Sequence, residues 1–136
     1  MPTIPYNING VELEFHADVN RDVKPELIDG LNFLIVPDVV VGYTLRNIYI
    51  RSAFDSHALP SRHMMQKGVD LSRFNGVLCV QGYGINPETT AIVQALQTRW
   101  EQWGGRRENF GPFFKKKLGQ PHAVAGHHDH IHISVN

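Results

Sequence analysis

Hydrophobic and polar positions along this chain alternate with a period of two in some stretches and recur at helical spacing in others. Val11, Leu13, Phe15 and Ala17 alternate with Glu12, Glu14 and His16, directly after the tight-turn pair Asn9-Gly10. That pattern predicts an early hairpin or strand with one buried face. Pro25 suits a first helical turn, Leu27, Ile28, Leu31, Leu34 and Ile35 follow at helical spacing, and Pro37 ends the helix. In residues 47–52, Ile48 and Ile50 share one face and Tyr49 takes the other, which predicts a central strand. Residues 52–69 show no clear period and read mostly as loop, while 69–71 and 77–80 are short strand candidates. The best helix covers residues 87–103. Asn86 is its N-cap, Pro87 its first residue, and Glu88 complements the dipole. Val93, Leu96, Trp100 and Trp103 form its apolar stripe, and Gly104-Gly105 stop it. After a basic loop, residues 129–136 alternate strictly, with Ile131, Ile133 and Val135 against His130, His132 and Ser134. This order of elements predicts one α+β domain over residues 1–136, a small antiparallel sheet flanked by two or three helices.

Composition sharpens the picture in three ways. Thirteen Lys and Arg balance thirteen Asp and Glu, so the chain is neutral apart from its histidines. A neutral chain is poorly suited to coating nucleic acid or an acidic membrane, and no nucleic-acid partner is expected. The single cysteine, Cys79, excludes an internal disulfide or a thiolate zinc cluster, and its apolar surroundings predict a packed thiol. The N-terminus has neither a basic n-region nor an apolar h-region, and no apolar run is long enough to span a bilayer. The expectation is a monomer made in the cytoplasm without a signal peptide or membrane insertion, reaching any external target after release or delivery.

The histidines carry the chemistry. There are eight, and five of them, His122, His127, His128, His130 and His132, crowd into the C-terminal segment. Residues two apart on a strand point the same way about 6–7 Å apart, so His130 and His132 project into one pocket. Neutral imidazole suits zinc, whose catalytic sites commonly have three protein ligands and an open position. His63 and Asp70, either side of a turn containing Gly68, are candidates to complete the set. His16 and His57 belong to no motif, and His122 and His128 read as solvent-exposed.

Ser61-Arg62-His63, six residues and then Asp70 resemble the Ser-x-His-x6-Asp motif of zinc peptidases related to D-Ala-D-Ala carboxypeptidase. Gln66 and Gly68 stand where that family has Gly and Ala, and Ser52-Ala53-Phe54-Asp55 stands where it has Ser-Gly-Tyr-Arg. The tail, Asp129-His130-Ile131-His132, resembles the His-x-His strand of the murein endopeptidases and of the hedgehog signalling domain. The likeness to this lysostaphin, D-Ala-D-Ala carboxypeptidase and hedgehog superfamily covers residues 47–70 and 127–135. It implies zinc held by His63, Asp70 and His132, with His130 beside the open position and His127 supporting it. Family members with a Glu base carry it three residues before the last ligand. Asp129 fills that slot here, but strand alternation predicts that it faces the core, so His130 with His127 is preferred.

The resemblance further implies amide hydrolysis in the stem peptides or cross-links of bacterial peptidoglycan, as in a phage endolysin or a delivered antibacterial effector. Arg51 and Ser61 are candidate substrate-binding residues. The basic stretch of Arg106, Arg107 and Lys115-Lys116-Lys117 is a candidate grip on anionic polymer, weighed against a solvated loop. The rival reading is a non-catalytic module of the same fold that keeps zinc for structure. A metal-dependent nuclease is disfavoured by the neutral charge.

Overall fold

The computed structural model describes residues 2–53 and 66–136. Most of the expected loop, including His57, Ser61 and His63, lies outside the described residues. The chain forms a mixed α+β fold with one sheet, mostly antiparallel, and three helices among the described residues. Asn9 and Gly10 both take positive φ (54° and 91°) and turn β1 (Asn7–Ile8) into β2 (Val11–Phe15). This is the geometry that a two-residue hairpin loop demands. Strand β2 keeps the expected alternation but stops at Phe15, before Ala17.

Helix α1 (Pro25–Leu34) carries the chain to β3 (Asn47–Ser52), which pairs with β2 in the one parallel contact among the described residues. The antiparallel strand β4 (Gly68–Phe74) follows, then β5 (Val77–Leu78), a single helical turn α2 (Cys79–Gly82), and helix α3 (Pro87–Trp100). The strand expected over residues 77–80 is therefore cut to two residues. Gly82 lies so close to Thr89 that an added Cβ would sit 2.8 Å from its side chain, and this packs the α2 turn onto α3. Helix α3 begins as read, with the Asn86 side chain accepting a hydrogen bond from the Thr89 amide at 3.1 Å. It ends three residues early, and Trp103 folds back on Trp100 with ring centroids 5.2 Å apart.

The basic segment is not a loop. Strands β6 (Arg106–Phe110), β7 (Lys115–Lys117) and β8 (Gln120–Pro121) form a meander on the far side of β9 (Ile131–Val135). Leu118 and Gly119, both at positive φ (53° and 79°), turn β7 into β8. The resulting strand order is β1-β2-β3-β4-β9-β6-β7-β8, with β5 beside β4. Strand β9 is thus central and wholly buried.

The two faces of β9 are chemically distinct. Ile131, Ile133 and Val135 join Leu27, Leu31, Leu96 and Trp100 in the apolar core against α1 and α3. Asn109 on β6 points to the same side, where it exchanges hydrogen bonds with Gln97 of α3 (2.8 and 3.1 Å). Both residues are buried, so this satisfied polar pair ties β6 to the helix layer. His132 and Ser134 face the opposite way.

The core also leaves a signature in α1. Gly30 lies under Trp100, and a Cβ added there would fall 2.6 Å from the indole. In an open helical site Gly→Ala gains about 1 kcal/mol. Gly30→Ala is expected to lower the urea midpoint instead, at an overpacking cost of about 1–3 kcal/mol. An unchanged or raised midpoint would show that the indole moves aside freely.

Candidate metal and catalytic centre

The site is built by strand register. Strands β4 and β9 pair antiparallel with Asp70 directly opposite His132, and the carboxylate oxygen Oδ1 lies 2.9 Å from His132 Nδ1. Two irregularities in the β3–β4 pairing lie just beside this point, either side of the Ile50–Leu71 pair. One extra residue, Arg51, interrupts β3 between Ile50 and Ser52, and another, Ser72, interrupts β4 between Leu71 and Arg73. Bulges of this kind re-aim side chains and favour the neighbourhood of active sites. Here the first turns Ser52 onto Asp70, and its hydroxyl donates to Oδ2 at 2.9 Å.

From Asp70 a run of polar contacts extends both ways. His130 Nε2 is 3.6 Å from Asp70 Oδ1, and His130 Nδ1 is 2.6 Å from Asp129 Oδ1. In the other direction His132 Nε2 is 3.0 Å from Glu108 Oε1, which accepts from the Ser134 hydroxyl at 2.8 Å. His130 and His132 thus meet at one carboxylate, although His130 lies just before the strand. Strand β9 begins only at Ile131, however, so the alternation does not extend to Asp129. Asp129 is half exposed and lines the cleft beside His130, which corrects the expectation that it faces the core.

His127 stands at φ +69°, an uncommon backbone state for a residue with a Cβ, next to Gly126 at +81°. Its ring centroid is 5.0 Å from that of His130 and 5.9 Å from that of His132, and its Nδ1 is buried with no close hydrogen-bond partner among the described residues. Phe110, opposite His132 in the β6–β9 register, stacks on the His132 ring at 5.6 Å and on the His122 ring at 5.5 Å. His122 is exposed, as expected, yet it lies flat against this aromatic floor.

Charge follows the geometry. Burial opposes the His132 cation, but hydrogen bonds and charge from Asp70 and Glu108 outweigh it and raise the pKa from 6.5 to about 9. Burial likewise opposes the Glu108 anion, yet His132 and Ser134 bring its pKa down from 4.5 to about 2. Burial pushes the His127 pKa down, helped by the charges of His130 and His132, so its ring is neutral at pH 7. The hydrogen bond from His130 lowers that of Asp129. Burial raises the Cys79 thiol to about 11, which fits the packed, unreactive residue expected.

The centre opens into a cleft of about 490 Å³ whose walls include Asp70, Asp129, His130, His16, Arg51 and Arg73. Arg51, a predicted substrate-binding residue, lies here. So do His16 and Arg73, which no motif marks. Arg73 stacks on Tyr49 with its guanidinium 4.3 Å from the ring centroid. Of the basic stretch, Lys115 hydrogen-bonds the Val124 carbonyl and Arg106 pairs with Glu101 at 3.1 Å. Glu108 is the residue that sequence reasoning missed. No motif contains it, and the segment read as loop hid its strand partner.

Among the described residues no group of three His, Cys, Asp or Glu side chains is arranged to hold a metal ion. Two of the three candidate ligands, Asp70 and His132, are adjacent, while the third, His63, lies outside the described residues. Their donor chemistry fits zinc, which takes imidazole nitrogen and carboxylate oxygen. The far nitrogen of His132 already meets a carboxylate, as metal-bound imidazoles generally do.

Without metal the His132–Glu108 pair makes stability pH-dependent. The raised His132 pKa contributes stability below pH 6.5 that is lost as pH rises through about 9. The lowered Glu108 pKa contributes stability above pH 4.5 that is lost as pH falls through about 2. In chelator-treated protein the urea midpoint is expected to fall between pH 6.5 and 9.5, and Glu108→Gln should flatten that slope. A wild-type midpoint constant across this range would contradict the pairing.

Comparison with known protein families, curated proteins and solved structures finds no match to this chain.

Proposed function

We propose that this protein is a zinc-dependent peptidase that hydrolyses an amide bond in the stem peptide or cross-link of bacterial peptidoglycan. The observation that carries this reading is that Asp70, on the wall of an open cleft beside His130, also meets the buried His132. Those are two of the three residues that the motif resemblance assigns to zinc and one of the two it assigns to chemistry. His63 would complete the ligand set. Zinc held there supplies Lewis acidity, lowering the pKa of water toward 7 and polarising the scissile carbonyl.

The chain's own residues do the rest. His130 accepts the proton of the attacking water through Nε2, on the Asp70 side, and returns it to the nitrogen that leaves as the C–N bond breaks. Asp129 holds Nδ1 of the same ring, fixing the tautomer and supporting the cation that forms. A base oriented by a third group is the usual arrangement in such sites. His127, kept neutral by burial, donates a hydrogen bond to the carbonyl oxygen as charge develops on it. Stem peptides carry free carboxylates, and Arg51 and Arg73 face the cleft with no carboxylate ion-paired to either among the described residues. These cations suit an acidic substrate despite the chain's zero net charge.

No helix among the described residues is long and apolar enough to cross a membrane. In this reading the cell wall is reached after release or delivery, as by a phage or a secretion system.

Zinc-loaded protein incubated with sacculi is expected to release new amino and carboxyl ends identifiable by mass spectrometry. His130→Ala should retain zinc and lose at least about 100-fold in kcat, the scale of general acid–base catalysis. Asp70→Ala should lose the metal. Zinc-loaded wild type that cleaves no wall chemotype would contradict the enzyme reading and favour a structural zinc module. For the cleft cations, Arg73→Met is expected to raise KM about tenfold with kcat little changed, the pattern of lost ground-state binding. An unaltered KM would remove Arg73 from the substrate site.

A further inference from the structure

We propose that Ser72 and Arg73, with their strand neighbours Tyr49 and Leu78, form a subsite that binds a free carboxylate carried by an aliphatic residue of the substrate. The proposal takes its substrate class from the peptidase reading but rests on contacts outside the candidate metal centre. In a regular strand, successive side chains point to opposite faces. Ser72 and Arg73 are successive, yet both line the cleft, because Ser72 is the extra residue of the β4 bulge. Beyond the bulge, Tyr49 on β3 and Leu78 on β5 both pair with Arg73, and all three line the cleft. The core side of these strands is taken by Ile48, Leu71 and Phe74.

Two observations point to an anion in this row. The Arg73 guanidinium lies 4.3 Å from the Tyr49 ring centroid. Contact with an aromatic face orients a guanidinium and leaves its in-plane N–H groups able to grip a carboxylate at two points. No carboxylate among the described residues is paired with it. Asp70 and Asp129, the acids of the cleft, are engaged instead by Ser52, His132 and His130. The second observation is Ser72 itself, which is 8% exposed and whose hydroxyl has no hydrogen-bond partner among the described residues. Buried hydroxyls are nearly always satisfied. An orphaned donor beside an unpaired guanidinium suits an anionic acceptor brought by the substrate.

The flanks set the rest of the ligand. Leu78 and the half-exposed Val80 add apolar surface next to the cation, which a bare anion does not need. A carboxylate on a small aliphatic residue uses both. Arg73 stands three residues along β4 from Asp70, about 10 Å at the usual strand rise. An extended peptide covers that span in about three residues, so the carboxylate belongs close to the scissile bond.

Titration of the zinc-loaded protein with isobutyrate, followed by NMR, tests the subsite without any turnover. The Arg73 Nε proton and the Leu78 and Val80 methyl groups should shift together, whereas a carboxylate held only on the metal would shift the His130 ring instead. Isobutyramide, the neutral counterpart, should bind at least about tenfold more weakly. Acetate should lose at least about fourfold, the worth of one buried methylene. Arg73→Met should weaken isobutyrate at least about tenfold. Ser72→Ala should weaken it a few-fold without lowering the urea midpoint, because the hydroxyl it removes has no partner to lose. Equal binding of isobutyrate and isobutyramide, shifts confined to the metal centre, or wild-type affinity in a folded Arg73→Met or Ser72→Ala protein would overturn the subsite. The same titration can be run on metal-free protein. A wild type that binds isobutyrate at Arg73 but cleaves no wall would therefore overturn the peptidase reading alone.

Discussion

The pairing of β4 with β9 is the constraint on which the rest depends. An antiparallel register that sets Asp70 opposite His132 brings together two residues 62 positions apart in the chain. A slip of one residue would turn each side chain to the other face of the sheet, delivering His132 to the apolar core and Ile131 or Ile133 to the site. The core prevents that slip. Ile131, Ile133 and Val135 are wholly enclosed with Leu27, Leu31, Leu96 and Trp100, so the hydrophobic effect that packs the helices on β9 also aims the imidazole. Fold and site share one interaction, and the apolar face holds the polar face in position.

The charges at the centre are balanced locally. Carboxylates of Asp129, Asp70 and Glu108 alternate with the imidazoles of His130 and His132, so each carboxylate meets an imidazole. Phe110 closes one side by stacking on His132 and His122 and limits solvent around the ring. Cationic side chains also line the cleft, at the exposed Arg51 and Arg73. A chain with no net charge thus separates its charges locally: carboxylates paired with imidazoles in the sheet, and exposed cations on the cleft wall. That division would suit the acidic substrate and the metal proposed for this site.

Much of the frame is legible in the sequence because its signals are local. Asn9-Gly10 demands a hairpin, Asn86-Pro87 starts a helix, and the alternation of Ile131, Ile133 and Val135 describes a strand with one apolar face. The meander β6-β7-β8 is not legible, because its strands are rich in Lys and Arg and draw their stability from pairing with β9 rather than from intrinsic propensity. Its β7–β8 turn uses Leu118-Gly119 in place of the usual Asn-Gly. Glu108 is hidden for the same reason, since its role exists only once β6 lies against β9. Asp129 shows the opposite failure: alternation was extended two residues past the true start of the strand, where the chain bends and the face is no longer determined. Asp70, His130 and His132 were found by motif and spacing, and these are the residues that the sheet brings together.

Crystals of the zinc-loaded protein, measured with X-rays either side of the zinc absorption edge, test the central claim most directly. The account predicts a single anomalous peak between the Asp70 carboxylate and His132 Nδ1, within bonding distance of both, with the His63 imidazole as the third ligand and Glu108 on the far nitrogen of His132. A peak elsewhere on the molecule, or none at this position in protein that carries stoichiometric zinc, would contradict it.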